Sequence, residues 1–504
     1  MTCWSSGGWS MTNLVAYPVL LCFGTGIVEL LLHGRVALQR AVALLASLSG
    51  IVLAVLLTYT IWTSGIQVQT AGGWPVPFGI TLTADLFSGL MMILASIVLF
   101  TTLLFVFRDM NPDSERTFFY PVLFFMMAGV NLSFATGDIF NLYVAFEVML
   151  ISSYFLLSLG STGPQVREGL KYLLLNTVAS SIFLIGVALL YGVTASLNMA
   201  DIAAKAAAEP GNPYITLAGI LFMVVFAAKG ALFPFYWWLP RSYYYVPNAI
   251  APLFAAVLTK VGVYGLVRVF TLIFIHDTGF THTLLLALGG LTMVLGIIGA
   301  VAQHDFKAVL SYNLISHIGY MIMGLGLYSV LSLAGAIYYI AHHIIVKSGL
   351  FLVSGATSRI TGTTDFRNYS GLLASNPGLA YTFLALAVSL AGVPPFSGFF
   401  AKFALLKAAA QQGAWGILAV ALAVSLFTLI SMIRIFRRAY WGRPSGQRIQ
   451  RDRKDYIATL TPAVVLLALS AAMGLGGGHM MDFALAAADQ LMHPNVYIDA
   501  VVGR

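Results

Sequence analysis

The sequence predicts an all-α polytopic membrane protein of about fourteen transmembrane helices, and three observations carry that expectation. Of its 504 residues, 59% are hydrophobic and only 9% are charged, where soluble globular chains run near about 25% charged. Apolar stretches long enough to cross a bilayer, about 20 residues each, recur from end to end. Lys and Arg crowd into alternate loops between those stretches. Composition thus excludes a soluble enzyme, a disordered chain and a fibrous protein. The two cysteines, Cys3 and Cys22, are too few for a disulfide framework, an iron–sulfur cluster or a Cys-based zinc site.

The first stretch, 11–32, lacks a basic leader and a small-x-small cleavage pattern, so it reads as a retained helix and not a signal peptide. A second span covers 36–62. The uncharged segment 67–83 carries Gly and Pro and is expected to form a small surface hairpin. Spans 3 to 6 follow at 82–107, 117–137, 139–160 and 168–195. Span 7, 214–239, carries Lys229 followed by Pro234. A proline inside a span removes a backbone hydrogen bond and breaks the helix. Spans 8 to 11 lie at 248–275, 282–303, 307–328 and 331–357. Span 12, 377–409, repeats the interruption with Pro394, Pro395 and Gly398 ahead of Lys402. Spans 13 and 14, at 413–440 and 457–475, leave a C-terminal tail.

Spans 4–8 and 9–13 make two five-helix units. Five is odd, so the second unit enters the membrane upside down relative to the first. The result is a pair of inverted five-helix repeats with broken helices 7 and 12 in corresponding places, where ion sites are expected. The chain divides accordingly into 1–115 (spans 1–3), 116–275 (first repeat), 276–440 (second repeat) and 441–504 (basic loop, span 14 and tail).

Loops after odd-numbered spans hold 18 Lys and Arg, the opposite face holds only Lys205 and Arg504, and six lie within spans. The positive-inside rule puts the basic loops in the cytoplasm and both termini outside, in a cell membrane. The same placement accounts for the net charge of +8 without nucleic acid. The densest loop, 434–454, reads as contact with lipid headgroups.

Charges within spans carry the chemistry, because each costs about 2.5–3.5 kcal/mol to insert. The clear acid is Glu147, in DIFNLYVAFEVMLISSYFLL of span 5; Lys229 precedes the break of span 7. At about 10 Å and an effective dielectric of about 20 the two would attract by about 1.7 kcal/mol. Moving or neutralising one then changes the other's hold on its proton about tenfold. Lys260 lies mid-span in LFAAVLTKVGVYGL, and His317 in SYNLISHIGYMIMG. His343 and Lys347 stand one turn apart in IYYIAHHIIVKSGLF, on one helix face. With Lys402 these form a row of titratable groups suited to a proton relay, since imidazole titrates near neutrality and a buried amine is readily tuned. His342 points away from the His343 face and ranks lower. Lys407 and Arg268 read as snorkelling to the outer surface. Glu29 lies near the cytoplasmic end of span 1, and Asp85 and Asp138 near outer ends.

Other chemistries find no pattern. The chain has 48 glycines but no phosphate-binding GxxxxGK[ST] and no strand-embedded GxGxxG. HHxxxK offers no carboxylate or thiol partner, so neither metal nor cofactor is expected. The aromatic run FPFYWWLPRSYYY reads as an interfacial belt at the end of span 7.

From span 2 to span 14 the chain resembles the antiporter-like membrane subunits shared by respiratory complex I, membrane-bound hydrogenases and Mrp-type multisubunit cation/proton antiporters. The resemblance rests on GDIFNLYVAFEVMLISSYFLLSLG, AAKGALFPFYWWLPRSYYYVPNAIAPLFAAVLTKVGVYGLVR, HHIIVKSGLFLVSGA and AGVPPFSGFFAKF. It is strongest for the D-type branch of Mrp-type sodium/proton antiporters. The short stretch after span 14, without the long lateral helix of the longest members, sets it apart from the A-type branch. Arg241 departs from the neutral residue expected in that turn.

The resemblance implies a non-enzymatic, proton-translocating subunit of a Na+/H+ antiporter complex. Its partners would be other membrane subunits, protons, sodium or potassium, and lipids, with no nucleic acid. It makes Glu147 and Lys229 the coupled pair, Lys260 the central relay and Lys402 the outlet, linked by His317, His343 and Lys347. The alternative is a proton-pumping arm of NADH:quinone oxidoreductase or a hydrogenase, driven by redox chemistry in other subunits. A scaffold whose charges only pair helices is the third reading.

Overall fold

Among the described residues, fourteen apolar helical segments follow one another along the chain. Twelve helices among the described residues are long and apolar enough to span a membrane, and two shorter apolar helices, Phe119–Ala135 and Pro377–Ala391, belong to spans 4 and 12. The computed structural model describes residues 11–446, 449 and 452–503. Cys3, Arg448, Arg451 and Arg504 lie outside the described residues.

The spans are Tyr17–Leu31, Val36–Ser64, Leu86–Asp109, Phe119–Ala135, Ile139–Leu157, Gly163–Thr194, Pro213–Gly230 with Leu239–Tyr245, and Ala251–Leu272. Thr278–Ala302, Phe306–Leu327, Val330–Thr361, Pro377–Ala391 with Ser397–Gln411, Trp415–Tyr440 and Arg453–Leu475 complete them. Acidic residues sit where spans begin because a carboxylate satisfies N–H groups that a helix start leaves free. Asp85 accepts from Ser88 N at 2.9 Å, Asp138 from Asn141 N at 2.7 Å, and Asp305 from Lys307 N at 2.9 Å.

Both expected breaks are present. Span 7 stops after Gly230, passes through Ala231 at φ 57° and resumes as a 3-10 turn, Phe235–Trp238. Span 12 stops at Ala391, turns at Gly392 (φ 91°) and restarts at Ser397. A third irregularity has no sequence signal: after Ala251–Leu253, span 8 passes through a π turn, Phe254–Leu258. Spans 8 and 11 are buried along their length and form the centre, with span 10 nearly so. Span 8 lies in backbone contact with broken span 7, for a Cβ on Gly262 would come within 2.6 Å of Gly230 N. Only small residues allow such an approach.

The expected hairpin is present: Gln67–Thr70 pairs antiparallel with Thr81–Ala84, Gln67 opposite Ala84. The C-terminal tail is instead two helices, Gly477–Met492 and Pro494–Val502. The first buries Ala484, Ala487, Ala488 and Leu491, a helical stripe, and packs on span 11. The aromatic run is not simply an interfacial belt. Trp237 is exposed, but Trp238 and Tyr243 are buried, and Trp238 Nε1 donates to Ala228 O at 3.1 Å. That carbonyl lies in the last turn before the break and also accepts from Ala231 N at 3.3 Å.

Candidate functional site

The interrupted spans bring charged side chains to mid-protein. Lys229 ends the first half of span 7, 6% exposed. Its ammonium lies 4.8 Å from the Phe146 ring centre, a cation–π contact, and donates to Ser180 Oγ at 3.1 Å. The same hydroxyl donates to Glu147 Oε1. Glu147 of span 5, Ser180 of span 6 and Lys229 of span 7 thus form one hydrogen-bonded chain. The sequence-predicted pair is joined through a third side chain. A cavity of about 10 Å³, lined by Lys229, Asn176, Tyr172, Trp238 and Leu258 among others, lies beside Lys229. That is room for about one water.

Lys260 is fully buried in span 8. It donates to Ala255 O at 2.8 Å and Thr259 Oγ1 at 3.3 Å. The π turn supplies this acceptor by displacing the ladder just before Lys260, and such turns recur at functional sites. Lys347 lies on span 11, which packs against the π turn of span 8. Lys347 Nζ and both ring nitrogens of His343 are buried with no hydrogen-bond partner among the described residues. Buried polar groups are ordinarily bonded, so these three atoms stand out among the described residues.

The row continues. The His317 ring lies 5.2 Å from that of His343, and His317 Nδ1 shares a hydrogen bond with Tyr339 OH. The Tyr339 ring lies 5.2 Å from that of Tyr320, whose ring centre is 5.3 Å from Lys402 Nζ. Lys402 donates to Ala391 O at 2.8 Å, the carbonyl at the span 12 break, and to Ser425 Oγ at 2.9 Å. The seven sequence-predicted residues therefore fall into two groups. Glu147 and Lys229 form one. Lys260, Lys347, His343, His317 and Lys402 form the other, with Lys229 and Lys260 on spans in backbone contact at Gly230 and Gly262.

Several residues escaped the sequence reading. Ser180, Tyr339, Tyr320 and Ser425 supply the links between charges; Tyr339 stands one turn before His343 and Tyr320 one turn after His317, a spacing that could have found them. His342, ranked lower from the sequence, lies 5.7 Å from the Tyr339 ring and shares a 2.8 Å hydrogen bond with Ser397 Oγ at the restart of span 12. Arg268 does not snorkel. It is 4% exposed, its guanidinium pairs with Asp85 at 2.7 Å, and it lies against Tyr264 and Tyr497. A buried partner at the start of span 3 satisfies it, so it has no need of the surface. Lys307, expected among the loop charges, is also buried, donating to Val246 O and to Asn248 Oδ1. Lys407 is exposed.

Residues 136–428 match the family model described as NADH:quinone oxidoreductase/Mrp antiporter, transmembrane. The chain is 50% identical over 492 residues to the D-type subunit of the Na+/H+ antiporter of Alkalihalophilus pseudofirmus, across 98% of this chain and 100% of that protein. Among solved structures it is similar to a chain of the Mrp complex from Dietzia sp., with TM-score 0.90 and 30% identity over 97% of this chain and 100% of that one. It is also similar to a chain of an archaeal membrane-bound sulfane sulfur reductase, with TM-score 0.88 and 27% identity, covering 97% and 99%.

Proposed function

This chain belongs to the NADH:quinone oxidoreductase/Mrp antiporter family of membrane subunits, and from that premise we propose that it is the D-type subunit of a multisubunit Na+/H+ antiporter, carrying the proton path. It works within a complex of other membrane subunits, in a lipid bilayer, with its basic loops in the cytoplasm. It is a transporter subunit and performs no chemistry on a substrate of its own.

The observation that carries this reading is the Ser180 hydroxyl joined to both Glu147 and Lys229. A buried amine is stable as a cation only with a counter-charge or good acceptors. When Glu147 is ionised, Lys229 keeps its proton; when Glu147 is neutralised, Lys229 is released toward its neutral form and a proton moves on. Lys260 receives it, since it lies on the span in backbone contact with span 7 and has the Ala255 and Thr259 oxygens to hold the arriving charge. His343, His317 and the Tyr339 hydroxyl pass it across span 11, and Lys402 delivers it at the break of span 12.

The reading is tested in everted vesicles carrying the complete complex, with a pH-sensitive dye recording proton release on addition of Na+ or K+. Wild type is expected to respond to Na+, and Lys229→Ala, assembled at normal levels, to lose the response. An undiminished response in Lys229→Ala would overturn it.

A further inference from the structure

The proton row leaves a fully buried carboxylate unused. Glu29, near the basic end of span 1, is 0% exposed, and neither of its carboxylate oxygens has a hydrogen-bond partner among the described residues. The nearby cations are engaged or turned away: Arg40 is held by Glu115 through contacts of 2.5 and 2.9 Å, and Arg35 is exposed. Gln39 of span 2 is 1% exposed and donates through Nε2 to the main-chain oxygen of Glu29 at 2.9 Å. That bond anchors the Gln39 amide at the Glu29 turn. Its other end, Oε1, is buried and unbonded among the described residues.

The two Glu29 carboxylate oxygens, and the oxygen of the Gln39 amide that is bonded to the Glu29 main chain, are therefore buried with no donor among the described residues. Leaving such acceptors dry costs free energy unless a donor or a cation meets them. The set contains only hard oxygen donors, carboxylate and carbonyl, the ligand type that suits hard metal ions and not soft or redox-active ones. One negative charge matches one positive charge.

We propose that Glu29 and Gln39 form a binding site for a hard monovalent cation, Na+, which exchanges with a proton on the Glu29 carboxyl. The step balances: the protonated carboxyl releases H+ as the carboxylate takes Na+, with the Gln39 amide oxygen and water completing the shell. The identity of the ion rests on the proposed antiport function. The site itself lies apart from the Lys/His row, in the three spans that precede the first repeat.

The test uses the wild-type complex, purified in detergent, with a carbodiimide that labels buried protonated carboxyls and peptide mass spectrometry to read the Glu29 site. Glu29 is expected to be labelled at pH 6 in Na+-free medium and to be protected at least tenfold by Na+ but not by choline. Labelling indifferent to Na+, or no labelling, would overturn the site. In everted vesicles, Gln39→Leu is expected to raise the Na+ concentration for half-maximal antiport severalfold. A half-saturation within twofold of wild type would count against it. Antiport that persists in Lys229→Ala would instead overturn the proton-path reading, so the two failures are distinguishable.

Discussion

The ammonium of Lys229 reaches Glu147 through a single hydroxyl, that of Ser180, 3.1 Å from the amine and bonded in turn to the carboxylate. A hydroxyl can donate to one neighbour and accept from the other, so it relays a change of charge between groups on spans 5 and 7 without either moving far.

Ser180→Ala removes that link while leaving both charges in place. A hydrogen bond to a charged group contributes about 1.5–3 kcal/mol, so Na+-driven proton release is expected to fall by about tenfold or more. Ser180→Thr, which keeps the hydroxyl, is expected to retain most of it. Dye quenching in vesicles at matched complex levels reads both.

Tyr339→Phe breaks the hydrogen bond to His317 without changing the packed ring volume. Transport is expected to drop several-fold with assembly unchanged. A merely structural tyrosine would lower the thermal stability of the complex and leave transport per complex intact.

The Asp85–Arg268 pair, both side chains buried, makes the opposite prediction. Removing one partner strands a buried charge, at a cost of about 3–5 kcal/mol. Arg268→Ala is therefore expected to reduce the assembled complex and its unfolding temperature in detergent. The double variant Asp85→Leu/Arg268→Met is expected to recover much of that loss.

Gly262→Val tests the contact of spans 7 and 8. Even a Cβ there would meet Gly230 N at 2.6 Å, so the helices must separate, with overpacking costs of about 1–3 kcal/mol or more. Lower assembly and lost transport are expected together, measured by blue native electrophoresis and dye quenching.

Much of the fold was legible because the bilayer imposes it. Uninterrupted apolar length marks the spans, and Pro234 and Pro394–Pro395 mark two breaks, since proline leaves a written trace. The π turn at Phe254–Leu258 leaves none, because nothing in FAAVL distinguishes a displaced ladder from a regular one. Helix Gly477–Met492 passed for a tail because the glycines before it and the acids within it mask its Ala stripe. At the site, the titratable residues stood out as charges in apolar text. Their connectors did not: Ser180 and Tyr339 are ordinary residues for a span and gain meaning only when spans 5, 6 and 7, or 10 and 11, come together. Arg268 was misread for the same reason, since its partner Asp85 lies on a distant span.

The central claim is that the buried row moves protons and does not merely brace helices, and Lys347 isolates it. Its amine is fully buried and bonded to nothing among the described residues, so Lys347→Met removes a charge site without removing a bond. The decisive measurement is Na+-driven proton flux in liposomes holding the purified complex, with its unfolding temperature taken alongside. A flux reduced at least tenfold at equal or higher stability is predicted. Wild-type flux from the Lys347→Met complex would contradict the account.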